Sequence, residues 1–317
     1  LYFAITQRTD AMKIAILGGA GAMGALLGGT LARAGVDVTL VDVAQAAVDK
    51  INRDSLRIDD KAGECHQIQV KATTDPASVA PVDYLLVFVK CYHTESAVRA
   101  AAPLIGDHTT VLTLQNGWGN APRIASIVGQ ERVMAGVTYH SATVLGPGHI
   151  KQTGVGDTFI GELAGGLSER QRRIVEIFNA AGFNTIASEH VLTTIWMKLA
   201  LNCCTLPASA LLRFTADEMV NHDGTLAVMH AILTEVVAVA NAQNIPLAFD
   251  ERWEATTGLL RRAVGGKASM LQDIENRRRT EIDVVNGAIV EAGARLGIPT
   301  PVNQTMVWLV KALEETF

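Results

Sequence analysis

Aromatic residues make up only 5% of the 317 positions, and the sequence holds 4 cysteines. Cys65, Cys91, Cys203 and Cys204 form no CxxC pair and no Cys/His ligand cluster. They read as reduced thiols rather than a disulfide frame, which predicts a cytoplasmic protein. No apolar run reaches the roughly 18–20 residues that span a bilayer, so no membrane role is expected. Positive charge is not in excess either. Lys+Arg number 27 against 32 Asp+Glu, a formal charge of −5, whereas a general nucleic-acid binder needs a basic surface. The 8 histidines include no HExxH, and no metal is expected. Residues 1–11 (LYFAITQRTDA) lack the long apolar core of a signal peptide. They read as an upstream extension, and the regular pattern begins at Met12.

The composition, 49% hydrophobic and 19% charged, is that of an ordinary globular protein. A chain this long exceeds the size at which one core usually stops growing, so two domains are expected. Strand patterns at Lys13–Leu17, Val38–Val41, Tyr84–Val89, Thr110–Leu114 and Val133–Val137 alternate with helical ones, beginning with Ala22–Ala34. This predicts a doubly wound, Rossmann-type α/β domain over residues 12–188. YLLVFV is apolar throughout, as a strand covered on both faces of a parallel sheet must be. From Ser168 onward helical periodicity dominates: 169–181, 190–212, 225–244, 252–264, 270–296 and 303–317. An all-helical domain is therefore expected over residues 189–317, with the site in a cleft between the two domains.

Gly19-Ala20-Gly21-Ala22-Met23-Gly24 is a GxGxxG that follows a strand and opens a helix. In that context Gly19 is expected to permit the tight turn. Gly21 would admit a pyrophosphate and Gly24 would let helix and strand pack closely. Helix amides would then face the phosphates of a nucleotide cofactor. Asp42, ending the second strand, is placed to bond adenosine ribose hydroxyls. Its charge would repel a 2′-phosphate, and no arginine follows immediately, so the residues alone lean toward NAD(H).

Ligands of open α/β sheets lie beyond the carboxyl ends of the strands. Two polar signals fall there, Lys90 after YLLVFV and Gln115-Asn116-Gly117 after TVLTL. Lys90 is expected near phosphate, ribose or substrate, and Asn116 near the nicotinamide. Lys198 and Asn202, in IWMKLALNCC, stack on one face of an apolar helix. A lone buried ammonium is costly, so Lys198 needs a partner. Ser269 and Gln272 fit a capping box. Asp273, Arg277 and Glu281, four apart, would form an ion-pair ladder on one helix face.

Taken together, GGAGAMG, Lys90, LQNG (114–117), the KxxxN of Lys198 and Asn202, ASMLQD and RRRTEIDVVNG resemble the ketopantoate reductase (2-dehydropantoate 2-reductase) family. The motifs run in family order from residue 12 to about 290. The resemblance implies reduction of 2-dehydropantoate (ketopantoate) to pantoate, a step of pantothenate and coenzyme A biosynthesis, with NADP(H) as the family's cofactor; a homodimer is the candidate assembly. At matching positions it implies that Lys198 is the general acid, with Glu281 binding substrate hydroxyl and holding the lysine. It implies that Asn116 and Asn202 orient substrate and cofactor, and that Ser269 bonds the substrate carboxylate. Two positions depart from the family pattern. Leu206 stands before Pro207 where a second asparagine is frequent, and the stretch after the second strand reads Val41-Asp42-Val43-Ala44 without a basic residue. An NAD-dependent D-2-hydroxyacid dehydrogenase acting on another 2-keto acid, or a nucleotide sensor without turnover, are the alternatives.

Overall fold

The computed structural model describes residues 12–317, and the extension read over residues 1–11 lies outside them. The chain divides into two compact units. One takes in the described residues up to Gln115 together with Ala121–Glu189, the other Asn116–Asn120 with His190–Phe317. Sequence reading drew a single boundary after residue 188. The short piece Asn116–Asn120, which follows a strand of the first unit, belongs with the helices instead.

In chain order the first part runs β1 (Lys13–Leu17), α1 (Ala22–Arg33), β2 (Asp37–Val41), α2 (Gln45–Asp54), β3 (Leu56–Asp59), β4 (Cys65–Ile68), β5 (Lys71–Thr73) and β6 (Tyr84–Val87). It continues through α3 (Thr94–Ala100), β7 (Thr110–Thr113), α4 (Asn120–Val128), β8 (Val133–Thr138), β9 (Ser141–Gly146), β10 (His149–Gly154), β11 (Thr158–Glu162), α5 (Glu169–Ala180) and β12 (Thr185–Ala187). Eight strands form one sheet in the order β12-β11-β8-β7-β6-β1-β2-β5. All its pairings are parallel except β8 with β11. The doubly wound fold is as expected. Its central strands β6 and β7 are buried at every position, which explains the unbroken apolar run of β6; β7 buries a threonine at each end.

A second sheet of four strands, β4-β3-β10-β9, was not foreseen. Helix α1 sits between the two sheets, and its paired glycines allow this. A Cβ on Gly28 would come within 2.4 Å of Leu40 of β2, and one on Gly29 within 2.7 Å of Ile58 and Leu56 of β3. Glycine inside a helix costs about 1 kcal/mol relative to alanine, and here the close approach on both faces gives that cost a reason.

The second unit is built from α6 (Val191–Leu212), α7 (Asp223–Ala242), α8 (Phe249–Arg262), α9 (Ser269–Glu275), α10 (Asn286–Leu296) and α11 (Pro301–Glu314). Its core joins Trp196, Leu199, Cys203 and Cys204 of α6 to Met229, Ile232 and Val236 of α7 and Ile289 of α10. By length and composition α6 and α7 could each cross a bilayer, which corrects the expectation that no segment qualifies. Polar residues break each strict apolar run without lowering its average enough. The apolar stretch of α6 is 67% buried inside the protein, as befits a helix that is greasy all round and packed in a core.

Candidate active site

The glycine turn is shaped by space as much as by torsion. Gly18 carries the left-handed φ of +77°, so the turn's strained position is one residue earlier than expected. Gly19 is glycine because a Cβ there would strike Leu40 at 2.7 Å. Gly24 lies against the turn itself, where a Cβ would be 2.2 Å from the Gly18 carbonyl oxygen. Gly21 is the N-cap of α1, and no side chain caps that end. The first-turn amides have no intrahelical partner, and Ala20, Gly21, Ala22 and Met23 are partly exposed around them. This bare, tightly turned helix start fits a dinucleotide pyrophosphate.

Asp42 follows β2 and is half-buried. Its Oδ2 accepts the Ala20 amide at 2.9 Å and its Oδ1 the Ala44 amide at 3.0 Å. The carboxylate therefore braces the glycine turn, a role that sequence reading missed. Lys50 and Arg53, the nearest following basic residues, are both paired with Asp54, at 2.6 and 3.1 Å. Lys90 lies beyond the carboxyl end of β6, at the N-cap of a 3-10 turn over Cys91–His93. Gln115 ties the ends of β6 and β7 together. Its Nε2 donates to the Val89 carbonyl at 2.6 Å and to Thr94 Oγ1 at 2.9 Å.

Within the second unit, Lys198 Nζ donates to Asn116 Oδ1 at 2.9 Å. Burial pushes the Lys198 ammonium pKa down to about 8, against the opposing pull of the Glu281 carboxylate. Asn116, Leu206, Ser269, Met270, Asp273, Glu281 and Val285 line one pocket. Asn202 lies one turn beyond Lys198 and is buried, and its side-chain amide makes no hydrogen bond among the described residues. Asn116, Lys198, Glu281 and Ser269 are thus brought together, although 165 positions separate Asn116 from Glu281.

The Asn-Gly pair is more than a turn. Gly117 has φ +83°, and a Cβ on it would sit 2.1 Å from the Val284 carbonyl oxygen. The Trp118 amide donates to that same oxygen at 2.8 Å. Asn116 is in this way pinned to the segment that carries Glu281.

Two expectations in this region fail. Ser269 is not an N-cap: Ala268 holds that position without any side-chain bond, and Gln272 Nε2 donates to the Lys267 carbonyl instead. Ser269 is left exposed at the pocket. The single helix over 270–296 does not exist either, because α9 ends at Glu275. Arg277 turns left-handed at φ +51°, the Arg277 amide donates to Ile274 and the Arg278 amide to Asp273, which is a Schellman stop. Asp273 and Glu281 consequently share the pocket wall rather than a helix ladder, and Arg277 is exposed. Met270, Asp273 and Val285 are pocket residues that sequence reading did not assign. All three lie inside the SMLQD and TEIDVVNG motifs, which was the available signal.

A family model described as Ketopantoate reductase PanE/ApbA matches residues 14–165, and one described as Ketopantoate reductase PanE/ApbA C terminal matches residues 190–314. A curated 2-dehydropantoate 2-reductase from Pyrococcus horikoshii is 34% identical over 303 residues, spanning 96% of this chain and 98% of its own. The crystal structure of a PanE/ApbA family ketopantoate reductase from Ralstonia eutropha superposes with a TM-score of 0.88 at 35% identity, covering 96% of this chain and 99% of that one. A ternary structure of D-mandelate dehydrogenase with NADH and anilino(oxo)acetate gives a TM-score of 0.91 at 29% identity, with coverage of 96% and 99%. The chain belongs to the ketopantoate reductase family, nicotinamide-dependent oxidoreductases that act on CH–OH groups.

Proposed function

We propose that this chain reduces 2-dehydropantoate to pantoate, with Lys198 as the general acid. The observation that carries this reading is the Lys198–Asn116 hydrogen bond at 2.9 Å, made by a desolvated ammonium facing Glu281. The residues from Gly19 to Gly24, with Asp42 and Lys90 at neighbouring strand ends, would hold a nicotinamide cofactor, which supplies a hydride to the keto carbon. As that carbon is reduced, negative charge gathers on its oxygen. Lys198 stabilises this charge and then donates its proton. Asn116 fixes the direction of the ammonium. Glu281 keeps it protonated and accepts from a substrate hydroxyl. Ser269 donates to the substrate carboxylate, and the Asn202 amide orients the substrate. The three buried free thiols, Cys91, Cys203 and Cys204, suit a reducing compartment, so the cytoplasm is the proposed location.

The pH dependence follows from the same lysine. Reduction needs the ammonium form, so kcat/KM for the keto acid is level at low pH and falls as pH rises through about 8. Oxidation of the hydroxy acid needs the neutral amine and rises through the same range. In Glu281→Gln the attraction that favours the ammonium is lost, and both limbs move to lower pH. Rate profiles in the two directions check this, and a reduction rate that is flat through that range contradicts it.

Asp42 favours NADH over NADPH, because its charge meets a 2′-phosphate while Lys50 and Arg53 are engaged by Asp54. Asp42→Asn removes the charge and keeps an oxygen for the Ala20 amide. It is expected to raise the NADPH/NADH ratio of kcat/KM by about ten-fold or more. A wild-type protein that already prefers NADPH strongly would overturn this preference.

One observation favours a second reading. Leu206, Met270 and Val285 give the pocket an apolar wall, and Leu206 stands where relatives frequently have asparagine. A 2-keto acid with an apolar side chain, reduced by NADH, would suit that wall. Comparing kcat/KM for ketopantoate and for apolar 2-keto acids, with NADH and NADPH in parallel, separates the two. Preference for ketopantoate sustains the first, and preference for the apolar acids the second.

A further inference from the structure

Helix α6 carries Lys198 and Asn202, yet it holds Pro207 in its interior. Proline has no amide hydrogen and crowds the carbonyl four residues earlier, which here is Cys203. That carbonyl is buried in the core, adjacent to Asn202, and cannot turn to water. Asn286 supplies the missing donor. Its Nδ2 donates to the Cys203 carbonyl at 3.1 Å and to Asn303 Oδ1 at 2.9 Å. Asn303 is anchored in turn, with Nδ2 donating to Glu235 Oε2 at 2.7 Å. Glu235 also accepts the Val302 and Asn303 amides at 2.9 Å each, capping the start of α11.

Asn286 is fully buried, and its Oδ1 has no partner among the described residues. An unsatisfied buried acceptor is unfavourable, so the side chain is set by its two donated bonds and not by an even balance of its own needs. It also stands at a junction. The five residues before it hold Glu281, the Val284 carbonyl that receives the Trp118 amide, and the pocket residue Val285. One short segment thus grips the Asn116 loop with Val284 and the lysine helix with Asn286, while presenting Glu281.

We propose that Asn286 is a positioning residue, which through the proline-freed carbonyl of Cys203 sets the register of the Lys198–Asn202 helix against the segment bearing Glu281. The inference rests on Lys198 being the acid, and it extends that reading to a residue that does not touch the reacting atoms. Misplacing such a helix by a fraction of an ångström lowers the chemical step more than it weakens substrate binding.

The test is a double-mutant cycle. Asn286→Ala should lower kcat about ten-fold or more while KM for the keto acid changes little, and should move the alkaline limb of the reduction profile. Pro207→Ala alone returns an amide donor to the Cys203 carbonyl and should leave kcat within about two-fold. Combined with Pro207→Ala, Asn286→Ala should cost no more than about three-fold, because the carbonyl is then served from within the helix. Equal losses from Asn286→Ala in both backgrounds, or none in either, overturn the proposal. If Asn286→Ala alone does not fold, a folded double variant with kcat near that of Pro207→Ala supports it, and a double variant that stays unfolded or inactive overturns it.

Titration of the Lys198 ammonium by NMR in protein carrying ε-13C-lysine separates this proposal from the function itself. A titration that shifts in Asn286→Ala and returns in the double variant supports positioning, whichever ketone is turned over. Full turnover by Lys198→Ala would sink the assignment of the acid without touching that result.

Discussion

Lys198→Ala is expected to lower reduction of the 2-keto acid by about 10²–10⁴-fold, the usual worth of a positioned acid, while nicotinamide binding is nearly unchanged. The two halves of this expectation have separate origins. The proposed proton source is one ammonium in the helical unit, its pKa pushed down to about 8 by burial. The glycine turn and Asp42, which would hold the cofactor, belong to the first unit, and Lys198 to the second. Lys198→Arg should be almost as poor. Guanidinium remains protonated throughout the working range and gives up a proton reluctantly, although it can still stabilise charge. Steady-state kinetics and cofactor titration by fluorescence quenching measure both halves. Near-normal turnover in Lys198→Ala would remove the lysine from the mechanism.

Gly117→Ala should produce the largest loss of stability from a single methyl group at the site. The left-handed conformation costs an alanine about 1–2 kcal/mol. The steric problem is worse, because the new Cβ would be 2.1 Å from the Val284 carbonyl oxygen, a backbone atom that also accepts the Trp118 amide. A total of about 3 kcal/mol or more is expected, within the range of severe single substitutions. Asn116 is adjacent, so its bond to Lys198 should be displaced and turnover should fall with stability. Gly119→Ala provides the control. It has φ +112° but nothing within 4 Å of the added Cβ, so it suffers the backbone strain without the clash. Urea unfolding of the two variants isolates the contact, and equal midpoints would show that Val284 yields easily.

Much of this molecule could be read from its residues, for identifiable physical reasons. The parallel sheet was legible because its inner strands are covered on both faces and read as mostly apolar runs, YLLV in β6 above all. The four-stranded sheet was not. Its strands carry polar residues, as in CHQI and HIKQTG, and they resemble loops when read alone. The one trace of that sheet lay elsewhere, in Gly28-Gly29 within α1, which shows that the helix has a close neighbour on each side.

The helix break at Asn276–Arg277 was invisible for the opposite reason. A Schellman stop usually announces itself with glycine, but here an arginine adopts the left-handed turn, and the ladder of charges looked continuous. Pro207 was legible as a disturbance in α6. Its remedy, Asn286, lies far along the chain and no local pattern points to it. The Lys198–Asn116 pairing shares this property, since spacing along the helix revealed that the lysine needed a partner but not that an asparagine would meet it.

The confinement of α1 between two sheets has a thermodynamic corollary. A helix held on both faces keeps its first amides aimed in one direction whether or not phosphate is present. Little conformational freedom is then left to surrender when the dinucleotide arrives, and preorganisation of this kind raises affinity by removing that loss. The glycine turn, braced from behind by Asp42, is a socket finished in advance. Association of the first unit with cofactor should accordingly resemble docking to a rigid body, and the protection gained on saturation should follow ligand concentration by mass action alone.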